Sequence, residues 1–155
     1  MQQQNAFTTI RILHAALLIG MTLFIIISLV VTLLGFHKAD ESLQRTLQVV
    51  CIVVSAISVI GGFNIFKKRI LAARNSLGTG EERMEQYRAA CILWWALIEA
   101  PGLLATIGFL LSGNYAFFAL AVVHLLILLV FMPRKANIIL FLNLTPQEVE
   151  RLEGK

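Results

Sequence analysis

Charged side chains are scarce in this sequence. They make up 14% of its 155 residues, against about a quarter in an ordinary soluble domain, and four long stretches are almost free of them. A chain so poor in charge cannot cover a water-facing surface, which excludes a conventional soluble domain. Cysteine is scarce as well. Cys51 and Cys91 stand in no C-x-x-C, C-x-x-C-H or His/Cys metal spacing, so a redox pair, haem attachment and a metal site are not expected. Cys51 falls near the outer end of the second apolar run and Cys91 near the cytoplasmic end of the third, much farther apart in depth than the ~7 Å that a disulfide spans, and free buried thiols are expected. There is no glycine-rich phosphate loop, no Ser/His/Asp set and no paired carboxylate. His14, His37 and His124 fall at three different depths, against bis-histidine haem ligation. No enzyme activity and no cofactor are expected, while a quinone or lipid site between helices stays open.

What the sequence has is apolar length. Hydrophobic residues make up 58% of it, mean hydropathy is +0.81, and the apolar residues gather in runs at about 12–36, 46–66, 89–112 and 115–132. Each is near the roughly 20 residues with which a helix crosses a bilayer core. The reading is an all-α integral membrane protein: a four-helix bundle of two hairpins over 1–133, followed by a cytoplasmic or interfacial tail over 134–155 with a short helix. The first run is too long for a signal-peptide core and no A-x-A-like site follows it, so it is expected to stay attached.

Lys and Arg set the orientation. Arg11 precedes the first run; Lys67, Lys68, Arg69, Arg74, Arg83 and Arg88 fill the middle connection; Arg134, Lys135, Arg151 and Lys155 lie in the tail. The first turn has Lys38 and Arg45 offset by Asp40 and Glu41, and the last turn has none. Both termini and the middle connection are therefore expected on the cytoplasmic side. The net charge of +4 has no aromatic-basic face with it, so nucleic acid is not an expected partner. The expected partners are the lipid bilayer and other membrane proteins, or a second copy of the chain.

Local signals place the turns. Gly35 can end the first helix, with Asp40 or Ser42 capping the next. Ser112-Gly113-Asn114 is tight enough to make the last two helices antiparallel neighbours. Asn75 to Gly80 reads as a turn, and Thr79 or Gly80 before Glu81-Glu82 can start a helix that runs on into the third apolar run. Pro133 disfavours helix at Met132. The stretch ANIILFLNL beyond it is too short to cross; lying on the surface, docking on the bundle and prolonging the last helix all stay open. Thr145-Pro146-Gln147-Glu148 reads as a capped helix start.

Polar residues inside the runs are few, and they are the candidate site. Glu99, in WWALIEAPGLL, lies about ten residues into its run, or ~15 Å deep. An acid there with no Lys or Arg beside it on its helix is expected to be neutral and able to donate one hydrogen bond. His124, in the next helix, is the obvious acceptor, but counting from the shared turn leaves the two about one turn apart. Thr22 and Ser55 fall near the depth of Glu99, so a Thr22, Ser55, Glu99 and His124 layer is expected as an ion or proton relay, or alternatively as interhelical glue. Pro101 cannot donate to the carbonyl of Leu97, and with Gly102 it is expected to kink the helix. Cys51, Ser55, Ser58 and Gly62 make one small-residue stripe on the second helix, and Glu99, Gly102 and Thr106 another on the third; both read as packing faces. ALLIGMTL (16–23) and ALIEAPGL (96–103) share a pattern, with Ile19 in the place of Glu99; a parallel repeat and chance similarity among apolar helices both stay open.

The segments ILHAALLIGMTLF, YRAACILWWALIEAPGLLATIGFLLSGN and FMPRKANIILFLNLTPQEVERLEGK together resemble a group of small, uncharacterised four-span bacterial membrane proteins. In that group a G-x-x-x-F-type first helix precedes an A-L-[IL]-E-[GA]-P segment and a Pro-basic tail. The resemblance implies a bacterial inner-membrane location and brings no activity with it. More distantly, two hairpins with one mid-membrane Glu look like the duplicated proteolipid rotor subunits of rotary ATPases, though their dense glycine-rich first helix is missing here. The expected function is that of a non-enzymatic subunit or accessory factor of a membrane complex; the alternative is proton or ion handling through Glu99.

Overall fold

The computed structural model describes residues 5–35 and 41–154. Those residues form six helices and no strand: α1 (Ala6–Leu33), α2 (Glu41–Arg74), α3 (Gly80–Ser112), α4 (Tyr115–Val130), α5 (Lys135–Leu142) and α6 (Pro146–Leu152). Three of them, α1 to α3, are long and apolar enough to cross a membrane, and there are four if α4 and α5 are taken as one broken span. Phe36, His37, Lys38, the proposed cap Asp40 and Lys155 lie outside the described residues.

Cap chemistry starts most of these helices. Asn5 accepts from the backbone N–H groups of Phe7 and Thr8 at 3.1 and 3.2 Å. Thr79 and Glu82 close a capping box at the start of α3, and Thr145 and Glu148 close another at α6. Each box satisfies two backbone donors that the first turn otherwise leaves bare. Gly113 ends α3 at φ 67°, a left-handed position that glycine takes without steric cost. Ser42 lies inside the first turn of α2 and not before it, with Glu41 as the acidic residue there.

Two helices outrun their apolar cores. α2 continues eight residues past 66 through KKRILAAR, and α3 begins nine residues before 89, because these flanks are polar yet contain good helix formers. The fourth element is shorter than its apolar run. α4 has 16 residues, or about 24 Å, and ends at Val130 before Pro133. The chain then turns by 71° into α5, so ANIILFLNL does not prolong the last helix; it folds back against α2 and α3.

The helices meet on α3. Its buried side chains include Met84, Tyr87, Cys91, Trp94, Ile98, Pro101, Ala105 and Phe109, spaced by threes and fours. That spacing keeps one stripe facing its neighbours along the whole length of the helix. α1, α2, α4, α5 and α6 all pack against it, whereas α1 and α2, though consecutive, contact α3 far more than each other. α3 passes through Pro101 as one continuous helix.

The tail is fastened by charge. Arg83 Nη1 donates to the carbonyls of Leu142 at 2.9 Å and Asn143 at 3.4 Å, and its Nη2 pairs with Glu148. One guanidinium thus caps the end of α5 and holds the start of α6, a use of its fixed fork that lysine cannot copy. Lys135 pairs with Glu153 across the tail and lies over the Phe7 ring. Gly80 lets α6 approach, because a Cβ there would come within 2.8 Å of Glu148 Cβ. The Thr145 backbone N–H, with Arg83 and the Thr145 hydroxyl also contributing, holds the Glu148 carboxyl below its ordinary value of 4.5. A depressed folded value means that this contribution to docking is complete above about pH 4.5 and is lost as pH falls through the lower folded value. Hydrogen-exchange protection of the α6 amides, taken relative to the intrinsic rate at each pH, should therefore stay high through pH 4.5 and fall below it. Arg83→Leu should lower it already at neutral pH by about 30-fold, for a loss of about 2 kcal/mol, and should shrink the acid step without removing it, because the Thr145 N–H remains.

Candidate functional site

Close contacts fix how the helices are aligned around the polar residues. His14 packs edge-on to Trp95 with centroids 4.9 Å apart, and Met21 meets Gly102. Both helices advance seven residues between these contacts, so α1 and α3 run parallel and Glu99 is level with Leu18. On α4, His124 Cβ would lie 2.9 Å from a Cβ on Gly102, and Phe117 Cδ1 would lie 2.7 Å from one on Gly108, which makes α4 antiparallel. On α2, a Cβ on Gly62 would lie 2.9 Å from Trp94 and 3.0 Å from Leu97; counting back seven residues puts Ser55 about level with Gly102.

Thr22, Ser55 and His124 therefore lie near the level of Gly102, and Glu99 lies about one turn, or ~4.5 Å, closer to the N-terminal end of α3. The four do not bond one another. Thr22 Oγ1 donates to the Leu18 carbonyl at 2.7 Å and His124 Nδ1 to the Leu120 carbonyl at 2.9 Å, each on its own helix. Ser55 Oγ and His124 Nε2 are buried and have no partner among the described residues. With Nδ1 carrying the donated proton, His124 presents a bare Nε2 acceptor.

Glu99 sits on the flank of the buried stripe. Trp95, Gly102 and Thr106 on one side of it are buried; Ile92, Ala96 and Ala100 on the other are exposed. Its own side chain is half-buried and makes no hydrogen bond or ion pair among the described residues. The carboxyl thus opens outward from the helix group and not into a sealed interior. Pro101 and Gly102 are both buried, and Thr106 Oγ1 donates to the Gly102 carbonyl at 2.8 Å, a back-bond that replaces a solvent partner inside a helix. On α2, Cys51, Ser55 and Gly62 are buried and Ser58 half-buried, so that stripe is the face laid on α3. Both cysteines are free.

One residue of consequence was not singled out by sequence reasoning. His14 is 1% exposed, and its Nε2 donates to the Leu128 carbonyl at 2.9 Å. That carbonyl belongs to the last turn of α4, where no intrahelical donor remains. Depth counted from the start of the apolar run puts His14 near the surface; α1 begins earlier and α4 ends sooner than those runs, which brings the two together.

Comparison with protein-family models, curated proteins and solved structures finds no match to this chain. Its chemistry has to be read from its own geometry. The residue on which three helices converge is Gly102, and the prediction at this site is steric. Gly102→Ala should cost about 1 to 3 kcal/mol by forcing α4 and Met21 away. Gly20→Ala and Gly61→Ala, where a Cβ meets nothing within 4 Å, should be neutral or slightly stabilising. Thermal unfolding of the three variants in one detergent checks this, and equal melting temperatures would refute the close approach at Gly102.

Proposed function

We propose that this chain is a multi-pass integral protein of the bacterial inner membrane, a four-helix bundle of two hairpins with both termini cytoplasmic, and that it acts without catalysis as a subunit or accessory factor of a membrane assembly. The observation that carries this reading is Glu99, half-buried on the flank of α3 with no partner among the described residues. An acid near mid-membrane costs about 2.5 kcal/mol or more unless protein or water meets it. A donor or acceptor from a neighbouring chain would meet it here. Small residues beside it support the same reading. Ala96 and Ala100 are exposed on α3, and Ala16 and Gly20 are exposed on α1, two pairs at the four-residue spacing that lets membrane helices approach closely. Ile12 and Ile57, 65% and 67% exposed, belong to broad apolar faces that require lipid or protein cover.

A second reading, proton or ion handling, is favoured by one observation: the bare Nε2 of His124 lies about one turn from Glu99. In it Glu99 is the reversible carrier and His124 the relay. Native mass in nanodiscs separates the readings. The assembly reading expects a stoichiometric complex larger than one 17.2 kDa chain. Gly20→Ile or Glu99→Leu should weaken it by about 3- to 30-fold, the range of single polar or packing contacts between membrane helices. A wild-type chain that runs alone as one copy overturns the reading. For the second, Glu99→Gln should abolish pH-driven proton uptake into proteoliposomes, and unchanged uptake removes it.

A further inference from the structure

Between α2, α3 and the bend from α4 into α5 lies a cavity of about 790 Å³, within the size range of sites for small ligands. Two chemistries divide its wall. The floor is aromatic: Trp94 stands 5.2 Å from Phe131, 5.8 Å from Phe63 and 6.0 Å from Phe66, centroid to centroid, and Trp95 continues it. The rim is cationic. Lys67, Lys68 and Arg74 on α2 and Arg134 at the bend line the opening, and no Asp or Glu does. None of these four forms an ion pair among the described residues, although Lys67 also reaches over the Phe63 ring.

Trp94 is 2% exposed, and its indole N–H has no acceptor among the described residues. The 71° turn after Val130 sets Arg134 beside the cavity mouth, while α5 packs beneath α2 and α3.

We propose that this cavity binds an anionic phospholipid of the cytoplasmic leaflet, with the phosphate at the cationic rim and an acyl chain along the aromatic floor. The proposal rests on the membrane reading given above. A free inorganic phosphate would use the rim and leave the apolar floor bare. A neutral quinone would use the floor and leave four cations unmatched. A phospholipid uses both, and basic pockets between membrane helices on the cytoplasmic side recognise such headgroups. Lys67 and Lys68 can lay their aliphatic stems along the cavity wall while their ammonium groups meet the phosphate.

The sequence has two tryptophans, and both line this cavity, so their fluorescence reports on its contents. The full chain is placed in phosphatidylcholine nanodiscs in which a fixed fraction of the lipid is dibrominated phosphatidylglycerol or, in parallel, dibrominated phosphatidylcholine. With the brominated lipid at about a third of the total, brominated phosphatidylglycerol should quench about threefold more strongly, because basic residues at roughly 1 kcal/mol each fill the site with it, whereas brominated phosphatidylcholine occupies the site only in proportion to its share. The excess should vanish in K67Q/K68Q/R134Q, whose three sites are all exposed, with an unchanged emission maximum in unbrominated discs as the test of folding. Equal quenching by the two lipids overturns the site, as does an excess that survives in the triple variant. Loss of the excess to added inorganic phosphate at constant ionic strength overturns the lipid as occupant. A chain that does not co-elute with the discs overturns the membrane reading and the site together, whereas one that co-elutes without headgroup preference overturns the site alone.

Discussion

At Gly102 three helices meet with no side chain of α3 between them. Met21 of α1 and His124 of α4 both occupy space that a Cβ would take, and the same kind of contact recurs at Gly62 against Trp94 and at Gly108 against Phe117. In the bilayer proposed for this chain there is no hydrophobic force to gather apolar helices, because a neighbouring helix is no more apolar than an acyl chain. Association then depends on how closely the surfaces fit, since dispersion falls away within a fraction of an ångström. The glycines set those distances, and the larger residues of the α3 stripe fill what lies between. α1 and α2 barely touch, so both hold their places through α3, and a disturbance of its stripe reaches every element at once.

Parts of this arrangement are written in short local signals. The capping boxes at Thr79 and Thr145 are readable because four residues contain all their chemistry, and the apolar runs because burial in lipid asks for length more than pattern. The lengths of α2 and α3 were not readable from hydropathy, which registers where a helix is apolar and not where it stops. Depth suffered the same way. Counting from run ends puts Thr22 and Ser55 level with Glu99 and leaves His124 a turn away, but the helices are aligned by where small and large residues interlock. That alignment sets Thr22 and Ser55 beside His124 near Gly102 and leaves Glu99 a turn behind. Pro133 announced a break after α4; the direction of the new helix comes from what α5 finds to pack on, and no local signal carries it.

Charge shows a further limit of reading along the chain. Arg83, Lys135, Lys67 and Arg134 are equivalent in a count of basic residues along the sequence. In the fold they differ: Arg83 and Lys135 bind the tail, whereas Lys67 and Arg134 stand at the mouth of a cavity. The difference follows from the acids. Glu148 lies on α6 and Glu153 at its C-cap; α6 packs at the N-terminal end of α3, and the cations nearest to these acids pair with them there. Those at the cavity mouth form no ion pair among the described residues.

The hydroxyl groups allow a similar sorting. Thr22, Ser28, Thr106 and Ser112 each donate to the carbonyl four residues earlier, which satisfies them within one helix and asks nothing of a neighbour. That solution is open to any serine or threonine in a helix, so polar character alone does not mark a functional residue here. Bonds that reach between elements are fewer and fall at helix ends: His14 on the last turn of α4 and Arg83 on the last turn of α5. Packing therefore holds the middle of the molecule, and hydrogen bonds hold its ends, where backbone carbonyls run out of partners. Glu99 and the Trp94 indole belong to neither group. A carboxylate has no i−4 solution and an indole N–H cannot reach one, and neither group has a partner among the described residues. Glu99 lies on the flank of α3 toward its exposed face, whereas Trp94 lines the cavity.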